Sequence, residues 1–229
     1  ATKDKFISII SHDLRNPVGA FVDVLAQLSE YPEMFPEDTR RQIIRELRDE
    51  AEQTYFLLEN LLSWARGQKK NIQISPVSYK LTDVVDINIR LLSRLAEQKQ
   101  IGLKNEVDPD LRVYADQNMI SLILRNLLSN AIKFTGKQGK VVVSARNSGK
   151  LVEVAVADNG IGIPSENLSS LFAEDKALST YGTGNEKGSG IGLQLCREFV
   201  EAHGGTIGVR SKERQGSIFT FTLPKESSL

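Results

Sequence analysis

The sequence predicts two domains, a helical hairpin that dimerises into a four-helix bundle and, after it, an α+β sandwich. The first prediction depends on apolar residues that recur three and four positions apart within residues 1–68, which is the spacing of one helix face. The second depends on residues 79–226, where helical stretches are mixed with short apolar strands and hairpin signals. Residues 69–78 are the predicted linker, because a polar break separates the two patterns.

Each helix of the hairpin has its own apolar stripe. In the first helix the stripe runs through residues 6–28, and in the second a strict heptad pattern runs through residues 44–65. Two prolines within residues 31–38 separate the helices, and Asp38 is the predicted N-cap of the second. Because two helices alone bury little surface, we expect them to be stabilised by forming a homodimer.

The second domain mixes helical and extended patterns. A hairpin is predicted around Asn147-Ser-Gly149, which lies between two apolar strands. The polar, glycine-rich stretch 164–188 is long for a loop and is predicted to be a lid. The predicted helices are 83–98, 117–134 and 191–202, and the predicted strands are 101–103, 112–114, 141–146, 152–157, 206–210 and 217–223.

Charge and cysteine content exclude several classes of protein. Lys and Arg number 29, as do Asp and Glu, so nucleic-acid binding through bulk positive charge is not expected. One cysteine, Cys196, excludes an internal disulfide framework and a multi-thiolate zinc site, and we expect it to pack in the core. No apolar run reaches the roughly 18 residues of a membrane span. We therefore expect a cytoplasmic fragment without membrane contact, any anchor of the full-length protein lying upstream.

Of the two histidines, His12 is the candidate nucleophile. It lies on the predicted solvent side of the first helix, with Asp13 beside it and Asn16 one turn later on the same face. A neutral imidazole is nucleophilic, and a neighbouring carboxylate can orient the ring and accept a proton. The alternative is a surface histidine beside the helix kink that Pro17 should cause. The other histidine, His203, precedes two glycines at a predicted helix C-terminus, where we expect a structural, cationic side chain.

Three polar residues share one stripe of the predicted helix 117–134. Asn126, Asn130 and Lys133 are four and three positions apart, so their side chains project from the same face. Two carboxamides and an ammonium group could hold a hydrated Mg²⁺ ion and a polyphosphate, because Mg²⁺ prefers oxygen ligands and keeps several waters. The alternative is a solvated polar stripe without a ligand.

The segment Asp158-Asn-Gly-Ile-Gly162 directly follows an apolar strand. Gly160 and Gly162 permit a close approach of the backbone, and a buried Asp158 carboxylate could accept a hydrogen bond from an exocyclic amine. The alternative is an ordinary turn at the end of a strand.

A second glycine-rich segment, with Gly188, Gly190 and Gly192, opens the predicted helix 191–202. Backbone amides at such a place can face an anion. The pattern differs from the dinucleotide fingerprint GxGxxG and does not follow a strand, so a Rossmann site is not predicted. The P-loop pattern is absent from the sequence.

Taken in order, these segments resemble the conserved boxes of sensor histidine kinases. Residues 6–17 resemble the phosphoacceptor box, residues 126–135 the asparagine box, and residues 158–162 and 188–192 the two glycine boxes, with Phe172 at the place of the phenylalanine box. The resemblance covers essentially the whole chain. It implies a helical dimerisation and phosphotransfer domain, followed by a Bergerat-type ATP-binding domain with a mixed sheet and helices on one face, as in gyrase and heat-shock chaperones.

The resemblance also implies roles for the first candidate residues. His12 would accept the γ-phosphoryl group of ATP, with Asp13 as its base. Asn16 would place water for dephosphorylation of a partner, the receiver domain of a response regulator. Asn130 would ligate Mg²⁺ with support from Asn126, and the neighbouring Lys133 would contact phosphate. Asp13 and Asn16 replace the more frequent Glu and Thr of the family.

For the nucleotide, the resemblance implies that Asp158 receives the adenine amine and that Phe172 belongs to the lid. Residues 171–175 contain one aromatic side chain where the family often has two. The cofactors that the resemblance implies are ATP and Mg²⁺. The glycines that would line the nucleotide are Gly160, Gly162, Gly188, Gly190 and Gly192.

Two other functions are compatible with parts of the pattern. A Bergerat-type ATPase that performs conformational work would not need the His12 helix. A non-catalytic dimer that binds nucleotide and a partner would predict a damaged asparagine or glycine box, and both boxes are intact. The sequence therefore favours a protein histidine kinase.

Overall fold

The structure, a computed structural model, describes residues 17–48, 51, 54, 58, 73–172, 182–183 and 192–225. The chain divides into two compact units, Ala1–Gln68 and Lys69–Leu229. Among the described helices, none combines the length and the apolar character needed to cross a membrane.

In the first unit, the described residues form two helices joined by a short 3-10 turn. Helix α1 covers residues 17–30, the turn covers Pro32–Met34, and helix α2 covers residues 37–48, with residues 51, 54 and 58 also helical. The predicted N-cap at Asp38 is wrong, because the helix begins at residue 37, two residues before the start that this cap implies: the Arg40 amide donates to the Pro36 carbonyl at 2.9 Å. Asp38 therefore lies in the first turn.

A carboxylate at the start of α2 forms two ion pairs on the helix surface. Glu37 accepts a hydrogen bond from Arg41 at 2.9 Å and also pairs with Arg40. These hydrogen bonds, that of Arg41 foremost, lower the pKa of Glu37. A negative charge in the first turn also suits the positive end of the helix dipole.

The predicted apolar stripes of α1 and α2 divide into half-buried and exposed positions. Phe21, Leu28 and Leu47 are half-buried, whereas Leu25 is 54% exposed and Ile44 is 56% exposed. Val18 and Leu58 of the stripes are exposed as well, and so is Val22, which lies outside the predicted stripe. An apolar surface of this kind on a pair of helices is typical of one that packs against another copy.

The second unit contains a five-stranded mixed sheet in the order β2-β4-β5-β7-β6 and a separate pair, β1 with β3. Strands β2 and β4 are parallel, and all other neighbours are antiparallel. Strand β1 begins inside the predicted linker 69–78. The elements are β1 Val77–Lys80, α3 Leu81–Gln98, β2 Gly102–Glu106, β3 Arg112–Ala115, α4 Gln117–Phe134, β4 Lys140–Ser148, β5 Leu151–Asp158, α5 Ser165–Leu168, α6 Gly192–Ala202, β6 Ile207–Lys212 and β7 Gly216–Pro224.

The predicted hairpin between β4 and β5 is confirmed. Ser148 pairs with Leu151, so the loop is the two-residue segment Gly149-Lys150. Gly149 has φ +65, a left-handed conformation that glycine adopts without a steric penalty and that two-residue hairpins require.

The core lies between one face of the five-stranded sheet and the helices. Val154 of β5 and Phe221 of β7 point into it, as do Ile123 of α4 and Phe199 of α6, and all four are buried. On the opposite sheet face, Ile218 and its neighbours are exposed or half-buried. The predicted α+β sandwich with helices on one face is thus confirmed.

Candidate active site

Five predicted site residues lie outside the described part of the chain: His12, Asp13, Asn16, Gly188 and Gly190. The other predicted site residues belong to the second unit. They are carried by α4, by the segment after β5 and by the start of α6.

Helix α4 begins directly after β3 because Asp116 caps it. The Asp116 carboxylate accepts hydrogen bonds from the amides of Asn118 at 3.0 Å and Met119 at 3.2 Å, which satisfies two of the amides that a helix N-terminus leaves without partners. The other carboxylate oxygen accepts from the Ser75 amide at 3.0 Å. The start of α4 is thereby attached to the segment that precedes β1.

The structure brings Asn126 of α4 next to Gly192 at the start of α6. Asn126 is buried, and its amide nitrogen donates to the Leu122 carbonyl at 3.0 Å. A Cβ atom at position 192 would lie 2.4 Å from Oδ1 of Asn126, so glycine permits this contact. The asparagine box and the second glycine box therefore meet through these two residues.

Asn130 and Lys133 lie on the same stripe, closer to the end of α4, and both are half-buried. The Lys133 ammonium nitrogen is 4.8 Å from the centre of the Phe134 ring, within the range of a cation–π interaction. Among the described residues, no group of three or more His, Cys, Asp or Glu could hold a metal ion. The carboxamide oxygen of Asn130 is a hard oxygen ligand of the type that Mg²⁺ accepts beside phosphate oxygens and water.

Asp158 ends β5 and is half-buried. Burial raises the pKa of its carboxyl above the ordinary value, and hydrogen bonds from the backbone of Gly160 and of Ser217 act in the opposite direction. The Gly160 amide donates to Oδ1 of Asp158 at 2.8 Å. A carboxylate has about four acceptor positions, so these bonds leave capacity for a further donor.

The glycines after β5 are required by close contacts within the protein itself. A Cβ at Gly160 would lie 2.3 Å from the carbonyl oxygen of Phe134, and one at Gly162 would lie 2.0 Å from that of Lys212. Gly162 also has φ +68, which favours glycine. These close approaches attach the segment after Asp158 to α4 and to β6.

Sequence reasoning missed Ser217, which pairs with Asp158 across strands β5 and β7. Its hydroxyl lies 2.9 Å from the hydroxyl of Ser211, which also accepts from the Ile163 amide at 2.8 Å. No motif marks Ser217 in the sequence, because its position beside Asp158 depends on strand pairing. Phe172, by contrast, was predicted; it is half-buried, and its carbonyl accepts from Arg197 of α6 at 3.4 Å.

His203 has the structural role that was predicted, but not the predicted charge. It is 5% exposed. Its Nε2 accepts from the Asp116 amide at 2.9 Å, and its Nδ1 lies 2.6 Å from the Phe199 carbonyl. A neutral ring with its hydrogen on Nδ1 satisfies both bonds, whereas a cation would point a hydrogen at the Asp116 amide. His203 thus joins the end of α6 to the start of α4.

Comparisons with known proteins agree with this arrangement. The His Kinase A (phospho-acceptor) domain matches residues 2–70, and the histidine kinase-, DNA gyrase B- and HSP90-like ATPase domain matches residues 115–227. The adaptive-response sensory kinase SasA of Synechocystis sp. is 32% identical over 228 residues, which are 97% of this chain and 59% of that protein. The chain thus spans little more than half of this relative.

Solved structures of histidine kinases are similar as well. The catalytic domain of histidine kinase ThkA is 30% identical, with a TM-score of 0.57 over 66% of this chain and 96% of that one. ThkA in complex with response regulator protein TrrA is 23% identical, with a TM-score of 0.67 over 96% of this chain and 61% of that one, and shows the shared fold. Because a phospho-acceptor domain precedes an ATPase domain that matches nearly all of the ThkA catalytic domain, this chain belongs to the sensor histidine kinase family.

Proposed function

We propose that this chain is an ATP-dependent protein histidine kinase that phosphorylates itself on His12 and passes the phosphoryl group to an aspartate of a response regulator. The observation that carries the proposal is the order of the two matched domains, phospho-acceptor before ATPase, together with the meeting of Asn126 and Gly192 in the second. The ATPase match supports ATP as the phosphoryl donor.

The nucleotide would bind beside the α4 stripe, at its half-buried residues Asn130 and Lys133. Asp158 accepts a hydrogen bond from the adenine amine, since its carboxylate retains acceptor capacity and its half-buried position strengthens a polar contact. Asn130 and Lys133, one turn apart, hold the Mg²⁺ ion and the phosphates. When bound, Mg²⁺ supplies charge neutralisation at the phosphates. Gly160, Gly162, Gly188, Gly190 and Gly192 line the nucleotide, and Phe172 belongs to the lid.

The phosphoacceptor chemistry follows from the His12 segment. A ring nitrogen of His12 attacks the γ-phosphorus, the bond to the β–γ bridging oxygen breaks, ADP leaves, and Asp13 accepts the ring proton. Positioning of the two reactants supplies most of the acceleration in such a transfer. Asn16, four positions after His12 in the sequence, would place water for a phosphatase reaction on the regulator. An Asn16→Ala variant with full phosphatase activity would contradict that role.

The partners proposed are a second copy of the chain and a receiver domain. Exposed Leu25 and Ile44 on α1 and α2 support the homodimer. ThkA has been solved with the response regulator TrrA, which supports a receiver domain as the phosphate acceptor. Because ATP is the proposed phosphoryl donor, we propose that this fragment acts in the cytoplasm.

The decisive experiment is incubation of the chain with γ-labelled ATP and Mg²⁺, in parallel with His12→Ala. We expect label on the wild-type protein, none on His12→Ala, and transfer to a receiver domain. Label that persists in His12→Ala would refute the phosphoacceptor assignment. ADP production without labelled protein would favour an ATPase that performs conformational work.

A further inference from the structure

The C-terminus of α4 is capped by side chains and backbone amides from distant parts of the chain. A helix leaves its last four carbonyl groups without partners inside the helix, and many helices solve this with a left-handed glycine. Helix α4 does not, because its C-cap, Thr135, is extended with φ −93 and ψ 135. Its last carbonyls are bound by groups from three other segments instead.

Lys99, the residue after α3, supplies the first of these groups. Its ammonium nitrogen donates to the carbonyl of Ile132 at 2.9 Å, to that of Lys133 at 3.0 Å and to the hydroxyl of Thr183 at 2.7 Å. An ammonium group has three hydrogens, so each has an acceptor. The side chain is half-buried, and its positive charge suits the negative end of the α4 dipole.

Thr183, which is 84 positions from Lys99, supplies the second. Its amide donates to the Lys133 carbonyl at 3.0 Å. Its hydroxyl lies 2.9 Å from the Thr135 carbonyl and 3.0 Å from that of Lys133, so the single hydroxyl hydrogen has two acceptors in reach while the oxygen accepts from Lys99.

The segment after Asp158 supplies the third. The Ile161 amide donates to the Phe134 carbonyl at 3.1 Å, at the same place where Gly160 approaches that carbonyl closely. The end of α4 is therefore where the Lys133 turn, the segment after Asp158 and Thr183 are attached to one another.

We propose that Lys99 and Thr183 are positioning residues for the nucleotide, acting through the last turn of α4. That turn carries Lys133 and directly follows Asn130. Without the two side chains, the Ile132 and Lys133 carbonyls would lose the Lys99 ammonium group and the Thr135 carbonyl would lose the Thr183 hydroxyl. Without the clamp, which we define as Lys99 and Thr183, the turn would have to become ordered when the nucleotide binds, and that cost would weaken binding. The inference rests on the proposed function, since it assigns the phosphates to the α4 stripe.

The clamp can be tested without removing core packing, because Thr183 is exposed. Thr183→Val deletes the hydroxyl at nearly constant shape, and Thr183→Ser restores it. Because a hydrogen bond is worth about 0.5–1.5 kcal/mol, we expect Thr183→Val to raise the Kd for Mg·ATP and the KM for ATP by about three- to tenfold. We expect kcat and the melting temperature to stay near the wild-type values, and Thr183→Ser to bind nearly as well as the wild type.

Lys99→Gln provides an independent variant, and Lys137→Gln is its control. The control removes an exposed positive charge shortly after α4 that lies outside the clamp. We expect Lys99→Gln to lose more affinity for Mg·ATP than Thr183→Val, and Lys137→Gln to lose none. The double variant Lys99→Gln/Thr183→Val should show a fold-loss of affinity smaller than the product of the two single fold-losses, because Lys99 and Thr183 bond each other and the same carbonyl.

Nucleotide titration on the whole chain distinguishes the two proposals. If the wild type binds no nucleotide, both proposals are overturned. If the wild type binds and Thr183→Val binds equally well, or if Thr183→Ser is as impaired as Thr183→Val, the clamp is overturned and the proposed function stands.

Discussion

Asp158→Asn separates two effects of one carboxylate, its cost to folding and its contribution to nucleotide binding. Burial raises the pKa of Asp158, so the charged form is less favourable in the folded protein than in the unfolded chain. A carboxyl group whose pKa is raised by folding contributes stability that is fully present below the unfolded pKa of about 3.9 and is lost as pH rises through the folded pKa. At neutral pH the charge therefore opposes folding.

The two consequences of the substitution have opposite signs. Asparagine has an oxygen that can accept the hydrogen bond from the Gly160 amide, which is 2.8 Å long in the wild type. The asparagine side chain carries no charge. We therefore expect the nucleotide-free variant to melt at the same temperature as the wild type or higher at pH 7, with the difference disappearing near pH 4. A hydrogen bond to a charged group is worth about 1.5–3 kcal/mol, so we expect about 10- to 150-fold weaker binding of Mg·ATP.

The assay is thermal unfolding between pH 4 and pH 8 with and without Mg·ATP, combined with nucleotide titration. Asp23→Asn is the matched control, because Asp23 is an exposed carboxylate of α1 in the other unit, and we expect it to leave binding unchanged. Binding within threefold of the wild type would refute the adenine assignment of Asp158. A melting temperature several degrees lower without nucleotide would refute the reasoning from burial.

Three further changes test other parts of the structure. Gly160→Ala should lower the free energy of unfolding by about 1–3 kcal/mol, because the added Cβ clashes with the α4 backbone. Gly136→Ala should not lower it, since a Cβ there has nothing within 4 Å. Equal denaturation midpoints for Gly160→Ala and the wild type would contradict the close approach. Leu25→Glu should convert the proposed homodimer to a monomer in light scattering, while Gln27→Glu, also exposed, should remain dimeric. A dimeric Leu25→Glu variant would exclude this face as the interface. Cys196 is buried, which raises the pKa of its thiol, so a thiol reagent at pH 8 should modify it only on unfolding, and rapid labelling of the folded protein would contradict its burial.

The elements that the sequence predicts best are those with a long local period. Helix α4 is observed at Gln117–Phe134, as predicted, because its apolar face repeats over five turns and a capping aspartate precedes it. The turn at Gly149 was equally readable, since the backbone conformation of a two-residue loop depends on the loop residues themselves. The start of α2 was not, because the helix begins directly after Pro36, whose carbonyl accepts the first helical hydrogen bond, and Asp38 lies inside the first turn.

The candidate site was predictable as a set of residue types, and its internal contacts were not. Spacing alone placed Asn126, Asn130 and Lys133 on one stripe. It could not show that Asn126 touches Gly192 or that Ser217 lies beside Asp158, because both contacts join residues far apart in the chain, which only helix packing and strand pairing bring together.

By itself, the sequence determined the two-domain organisation, the element types and the family resemblance, since each depends on short-range periodicity or on motifs in a fixed order. The tertiary structure decided which groups satisfy one another. In the folded protein His203 accepts a hydrogen bond from the Asp116 amide through its neutral ring. The last carbonyls of α4 are bonded by Lys99 and Thr183, and no left-handed glycine caps the helix. The physical reason is that buried polar groups must find partners, and which partners are in reach depends on how the whole chain packs.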